Sequence, residues 1–73
     1  MMLFYEWLGL QTSRRDPVGD FARYARKDKV FPIHARKLHL FLLRYEGLPL
    51  KQALVKRAHR EWRRNARVRR RVA

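Results

Sequence analysis

The sequence predicts an all-α protein, a compact bundle of four short helices in which the last helix is long and basic. Three observations support this class. Apolar residues recur at the i, i+3, i+4 and i+7 spacing that places them on one face of a helix, and no segment alternates as a strand does. Turn-forming residues separate the four apolar stretches. The net charge is +13, from 19 Lys and Arg against 6 Asp and Glu, and the excess lies mainly toward the C-terminus.

The composition limits the protein to a few classes. A chain of 73 residues suits one small domain with a narrow margin of stability. A hydrophobic fraction of 47% is enough for a core and argues against a wholly disordered chain. The absence of cysteine excludes disulfides, zinc knuckles and thiol nucleophiles. Because no segment resembles a membrane-spanning helix or a signal peptide, we expect a soluble, cytoplasmic protein.

Two helices are predicted in the N-terminal part of the chain. The first covers about residues 2–10 and carries a crowded aromatic face. The second begins at Asp16, which can cap it, and at Pro17, which suits the first turn because no N–H is needed there. This helix should end near Asp28. Its apolar stripe consists of Val18, Phe21, Ala22 and Ala25.

The third and fourth helices follow a connector in which Phe31 is expected to fill part of the core. The third helix is predicted over about residues 33–46 as the most buried of the four, with Gly47 in the left-handed position that ends it. The fourth is predicted to start near Pro49 and to reach about residue 70. Its inward face is predicted to contain Leu50, Ala53, Leu54, Ala58 and Trp62.

A set of these residues, in order over about residues 3–62, forms a recognisable pattern. It consists of Phe4, Tyr5, Trp7, Leu8, Asp16, Phe21, Ala22, Asp28, Phe31, Pro32, Tyr45 and Trp62. The pattern resembles the YozE family of small bacterial proteins, whose domain has a sterile-alpha-motif-like (SAM-like) fold. The resemblance implies a four-helix bundle without established enzymatic activity or cofactor. SAM-like folds serve as protein-interaction modules and sometimes bind nucleic acid, which is an analogy of fold alone.

The fourth helix carries a basic stripe. Ten Lys and Arg residues follow Leu50, against the single acid Glu61. Lys56, Arg60, Arg63, Arg67 and Arg70 are spaced four, three, four and three residues apart, so they share one helical face about 21 Å long. We divide the chain into a helical domain, residues 1–62, and an Arg-rich extension, residues 63–73. The predicted nucleic-acid-binding residues are Lys56, Arg57, Arg60, Arg63, Arg64, Arg67, Arg69, Arg70 and Arg71.

The charge predicts a non-enzymatic module that binds DNA or RNA through the phosphate backbone with little sequence specificity, such as a small basic subunit of a nucleoprotein assembly. Arg outnumbers Lys by 14 to 5, and the planar guanidinium pairs phosphate in a bidentate manner. The main alternative is a protein-interaction adaptor that docks on an acidic partner, which exposure of Phe4, Trp7, Leu40 and Leu43 would favour. A merely solvated helix face also remains open. We expect no membrane partner, because the outer face of the last helix lacks the large apolar residues that would insert into a bilayer.

The sequence contains no pattern typical of catalysis or metal binding. His34, His39 and His59 are not spaced i, i+4 and have no Cys or carboxylate at metal-ligand spacing. Asp16 and Asp20 are four residues apart, but capping and compensation of the helix dipole explain them more simply. There is no Gly-rich phosphate loop. We therefore expect no enzyme, no metal, no cofactor and no small-molecule substrate.

Overall fold

Four helices form the architecture that the sequence predicts. The computed structural model describes the backbone of residues 2–72 and the side chains of residues 2–65. Its elements are α1 (Phe4–Gly9), α2 (Pro17–Lys27), α3 (Leu38–Arg44) and α4 (Pro49–Val72), and residues 2–72 contain no strand. Helix α4 packs against each of the other three, and α1 also packs against α2. The all-α class and the long last helix are confirmed.

The two N-terminal helices begin where their capping residues allow. In α1, the Glu6 side chain accepts the backbone N–H of Leu3 at 2.9 Å. In α2, the predicted cap is confirmed, because Asp16 Oδ1 accepts the backbone N–H of Gly19 at 2.8 Å and Pro17 lies in the first turn. Helix α1 is shorter at both ends than residues 2–10, and α2 ends at Lys27, one residue before the predicted end.

The core is built around aromatic rings from different parts of the chain. The Phe4 ring lies 4.8 Å from the Phe41 ring and 5.6 Å from the Trp62 ring, which brings α1, α3 and α4 together. Phe31, from the α2–α3 connector, is 5% exposed and stacks at 5.4 Å on Phe41. Its predicted role as a core residue is confirmed. Offset and edge-to-face contacts of this kind add to the stabilisation from burial alone.

The prediction for the third helix is wrong in length and in burial. Residues 33–37 are not helical, and Phe41 is the one buried residue within α3. Leu43 is 61% exposed and Leu40 is 39% exposed. The Arg36 carbonyl lies 2.8 Å from the ring Nε2 of His59, so a tertiary hydrogen bond takes an acceptor that a longer helix would use internally. This contact joins the non-helical segment before α3 to α4.

The predicted inward face of α4 is also partly wrong. Leu50 is 81% exposed and Ala53 is exposed, whereas Val55 and His59 are buried. The buried residues of α4 follow the i, i+3, i+4, i+7 spacing. One of them is a histidine, so a pattern based on apolar residue types does not identify the buried face. The residues that face the core are Val55, Ala58, His59 and Trp62, with Leu54 partly buried beside them.

A buried carboxylate joins the end of α2 to the end of α3. Asp28 accepts hydrogen bonds from Arg44 Nη2 at 2.7 Å, from the Tyr45 hydroxyl at 3.1 Å and from the backbone N–H of Val30 at 3.0 Å. The side chain is 6% exposed. The Arg44 hydrogen bond is the main cause that holds the pKa of Asp28 below its usual value, and burial raises the pKa of the Tyr45 hydroxyl.

Removal of this carboxylate should destabilise the bundle. Asp28→Ala leaves the Arg44 guanidinium and the Tyr45 hydroxyl without their acceptor, and we expect a loss of roughly 2–3 kcal/mol in the free energy of unfolding. Urea unfolding followed by circular dichroism measures this. Glu46→Ala is the matched control, because Glu46 is exposed and forms no ion pair among the described side chains. Equal midpoints for the two variants would contradict the prediction.

Candidate nucleic-acid interface

Five of the nine predicted binding residues have described side chains, and all five are exposed on α4. We call this set the basic face: Lys56, Arg57, Arg60, Arg63 and Arg64. The other four predicted residues are Arg67, Arg69, Arg70 and Arg71. Their side chains lie outside the described part, so their place in the interface stays a prediction.

The one acid of α4 is engaged by a cation from another part of the chain. Arg14, in the α1–α2 loop, approaches Glu61 with Nη1 to Oε1 at 3.3 Å and Nη2 to Oε2 at 3.4 Å. Arg14 also binds Asp16 at 2.6 Å, and both contacts raise the pKa of its guanidinium. Glu61 is therefore held away from the cations of its own helix, a contact that sequence spacing could not reveal.

No cation of the basic face forms an ion pair among the described side chains, although the charge of Arg57 helps to lower the pKa of Asp16. Each ion pair among the described side chains uses a cation outside α4, namely Arg14, Arg23 or Arg44. Glu6 is occupied at the start of α1, where it accepts a backbone N–H. A helix face with five cations and no paired acid creates a strong positive potential that attracts a polyanion.

A groove runs between α3 and α4 along one edge of the basic face. Its first hollow, of about 260 Å³, is lined by Lys56, Arg60, Arg63 and Arg64 together with Leu38 and His59. Its second hollow, of about 610 Å³, is largely apolar and is lined by Leu38, Leu42 and Trp62 together with Arg36, Lys37, His39, His59 and Arg63. We call the two hollows together the α3–α4 groove. Four residues of the basic face line the smaller hollow, and one of them, Arg63, also lines the larger hollow.

His59 is neutral in this arrangement and adds no charge to the groove. Its ring lies 5.4 Å from Phe4 and 5.3 Å from Trp62, and the side chain is 5% exposed. Burial is the main cause that lowers the pKa of His59, and the nearby charge of Arg63 lowers it further. His59 serves as a core residue and as the partner of the Arg36 carbonyl.

The lowered pKa of His59 predicts a loss of stability in weak acid. The unfolded chain takes up the proton near the ordinary pKa of 6.5, whereas the folded chain resists it, so stability should fall as the pH drops below about 6.5. Thermal unfolding between pH 8 and 5 measures this. In His59→Gln, an amide can donate to Arg36 without titrating, and the decline should flatten. An unfolding midpoint of the natural chain that stays constant over this range would contradict the prediction.

The aromatic side chains near the interface are already occupied. Trp62 is 4% exposed and its Nε1–H donates to the Met2 carbonyl at 3.0 Å. The predicted core role of Trp62 is thus confirmed. Tyr24 is 39% exposed, but the Lys51 ammonium lies 3.7 Å from the centre of its ring. The Trp62 ring is therefore buried, and the Lys51 ammonium occupies one face of the Tyr24 ring.

The described residues contain neither a cluster suited to a metal ion nor a helix suited to cross a membrane. No three residues of the types His, Asp and Glu lie together in an arrangement that could hold a metal ion. No helix of the described part combines the length and the apolar character that crossing a membrane requires.

Comparison with known proteins supports the fold and not the interface. No similar protein was found among the curated proteins, nor among the solved structures. The family model described as the YozE SAM-like fold matches residues 4–46, which contain α1, α2 and α3. The matched part ends before α4, so the basic face lies outside it. Because the match covers more than half of the chain, the resemblance seen in the sequence is confirmed, and the protein belongs to the YozE family with the SAM-like fold.

Proposed function

We propose that the protein is a non-enzymatic, cofactor-free module that acts in the cytoplasm and binds nucleic acid through the phosphate backbone. The observation that carries this proposal is the basic face, five exposed cations on one continuous helix with no paired acid among the described side chains. A helix of this kind can follow a groove or a ridge of phosphates. A place as a small basic subunit of a nucleoprotein assembly would suit this role.

The arrangement of the cations favours a polyanion over simple solvation. Lys56 and Arg60 are four residues apart, as are Arg60 and Arg64, so like charges adjoin along the helix and destabilise it. A bound phosphate backbone relieves this repulsion. Four of the five cations are Arg, whose guanidinium matches the geometry of phosphate better than an ammonium does.

Binding of this type should show little sequence preference and strong dependence on salt. Arginine and lysine contacts to phosphates release condensed counterions, and each neutralised phosphate steepens the log–log salt dependence by about 0.9 on duplex DNA. If all five cations of the basic face contact phosphates, we expect a slope of about 4 to 5. The occupied aromatic rings leave few means of reading a base sequence.

Fluorescence anisotropy tests the proposal directly. Duplex DNA, single-stranded DNA and structured RNA are each titrated with the full chain over a salt series. A steep negative slope with at least one ligand is the expected result, and the preferred ligand identifies the nucleic-acid class. Absence of binding at 50 mM salt, or a slope near zero, would refute the proposal.

A shorter chain separates the described face from the Arg-rich end. A chain that ends at Asn65 keeps every residue of the core and lacks Arg67, Arg69, Arg70 and Arg71. If those four residues contact phosphates, its salt slope should be smaller by as much as about 3.6 on duplex DNA. An unchanged slope would restrict the interface to the basic face and would remove the four from the binding residues.

The second candidate function is an adaptor that docks on an acidic protein. Two of the four residues whose exposure would favour it, Leu40 and Leu43, are exposed, whereas Phe4 and Trp7 are buried. Leu48, between α3 and α4, is 47% exposed, and Leu50, in the first turn of α4, is 81% exposed. Capture of an acidic protein after nuclease treatment, abolished by Leu43→Ser, would favour this function over nucleic-acid binding.

A further inference from the structure

We infer that the α3–α4 groove receives an unstacked base of a single-stranded nucleic acid whose phosphates lie on Lys56, Arg60 and Arg63. This inference rests on the proposed function and names its ligand class. It starts from the position of an apolar hollow directly beside a row of cations. The apolar hollow alone, or the row of cations alone, would not indicate the ligand. Because the two adjoin, they favour a ligand that carries both a flat apolar group and phosphates.

The floor of the larger hollow is suited to an apolar, flat group. Leu38 and Leu42 are half-buried and line it together with Trp62, while Arg36 and Lys37 line its rim on the α3 side. Its volume of about 610 Å³ falls within the range of small-ligand sites. The guanidinium of Arg36 is exposed and can lie over the face of a base, as Arg does in many single-strand complexes.

The phosphate-binding side chains and the hollow form one surface. Leu38, His59 and Arg63 each line both the larger hollow and the smaller one, and the smaller one is otherwise lined by cations of the basic face. In a single strand, each base is linked through its sugar to a neighbouring phosphate and is not held in a base pair. A backbone laid along Lys56, Arg60 and Arg63 therefore presents bases beside the hollow. In a duplex, the bases are paired and stacked inside, and the hollow would remain empty.

His59 provides a hydrogen-bond acceptor at this position. Its Nε2 lies 2.8 Å from the Arg36 carbonyl, and because a carbonyl only accepts, Nε2 carries the proton of the neutral ring. The other ring nitrogen, Nδ1, is therefore an acceptor, and no hydrogen bond to it is formed among the described residues. In the inferred complex, an N–H donor on the Watson–Crick edge of a base bonds to this nitrogen, which does not select a sequence.

Removal of the bases while the phosphates are kept provides the test. The full natural chain is titrated at 0.1 M salt with three labelled ligands: a 12-nucleotide single strand, a strand of equal length in which every base is absent, and a 12-base-pair duplex. The base-bearing strand should bind at least about tenfold more tightly than the baseless strand. Equal affinities would overturn the inference and leave the proposed function standing, with the groove open to an apolar side chain of a protein partner. No binding to any ligand would overturn both.

Two leucine variants locate the base. Leu42→Ser removes part of the apolar floor, whereas Leu43→Ser, the matched control, changes an exposed neighbour that does not line the groove. Leu42→Ser should reduce the affinity for the base-bearing strand by about tenfold, to that of the baseless strand, and Leu43→Ser should leave both affinities unchanged. Equal losses on both strands would overturn the inference. If circular dichroism shows that Leu42→Ser does not fold, the inference is tested by the natural chain alone, from its affinities for the base-bearing and the baseless strand.

Discussion

The variant Gly19→Ala should lose at least about 3 kcal/mol of unfolding free energy, a large part of the stability of so small a domain. A Cβ atom at position 19 would lie 2.1 Å from the carbonyl oxygen of Arg14 and 2.7 Å from its carbonyl carbon. These are backbone atoms, so the loop itself must move. The same loop places the Arg14 guanidinium on Glu61, and the Gly19 N–H is the donor to the Asp16 cap. The methyl group would therefore disturb the packing of the α1–α2 loop, the Asp16 cap and the Arg14–Glu61 ion pair at the same time.

Gly9→Ala is the matched control for this prediction. At position 9, the nearest atom to an added Cβ is Arg26 Nη1 at 3.2 Å, the far end of a flexible side chain that can move at low cost. Alanine also restricts the unfolded chain more than glycine does, so the variant should be neutral or slightly more stable. Urea unfolding of both variants measures the difference. Gly19→Ala with the same midpoint as Gly9→Ala would show that the α1–α2 loop does not need glycine at position 19.

Capping residues and prolines in the sequence correctly predicted the start of α2 and the connector before α3. Asp16 and Pro17 define the start of α2, and Pro32 together with the apolar Phe31 predicts a core residue in a connector. The prediction for α2 held because its capping residues act within one turn of their own position. The prediction for Phe31 held because a large apolar side chain is favoured in the core, where it packs on Phe4 and Phe41. The family pattern extends the same agreement to α1 and to Tyr45, which the match over residues 4–46 confirms.

Predictions failed where a tertiary contact decides the structure. The helix predicted over residues 33–46 is shorter in the structure, where the Arg36 carbonyl instead bonds to His59, 23 residues away. An apolar pattern does not select a histidine, so it predicts Leu50 and Ala53 on the inward face of α4, where the structure buries Val55 and His59. The α3–α4 groove was not predicted at all, since it depends on how α3 and α4 pack. The exposed cations were predictable because a helical repeat alone places them on one face.

The double variant Arg60→Glu/Arg63→Glu should weaken nucleic-acid binding on the order of 100-fold at 0.1 M salt. It removes two phosphate contacts from the centre of the basic face and introduces repulsion at the same places. The log–log salt slope should become shallower by about two, because two fewer counterions are released. Anisotropy titrations of natural and variant chains over the same salt series measure both quantities.

This loss can be separated from unfolding and from a mere reduction in net charge. The carboxylate introduced at position 60 lies four residues from Lys56 and from Arg64, so it forms attractive pairs in place of repulsive ones and the helix should remain folded. The control Arg15→Glu/Lys29→Glu changes two exposed cations outside α4 and gives the same net charge. If only the α4 variant loses affinity for nucleic acid, the basic face is the binding surface. Equal losses would mean that the total charge, and not this helix, attracts the ligand.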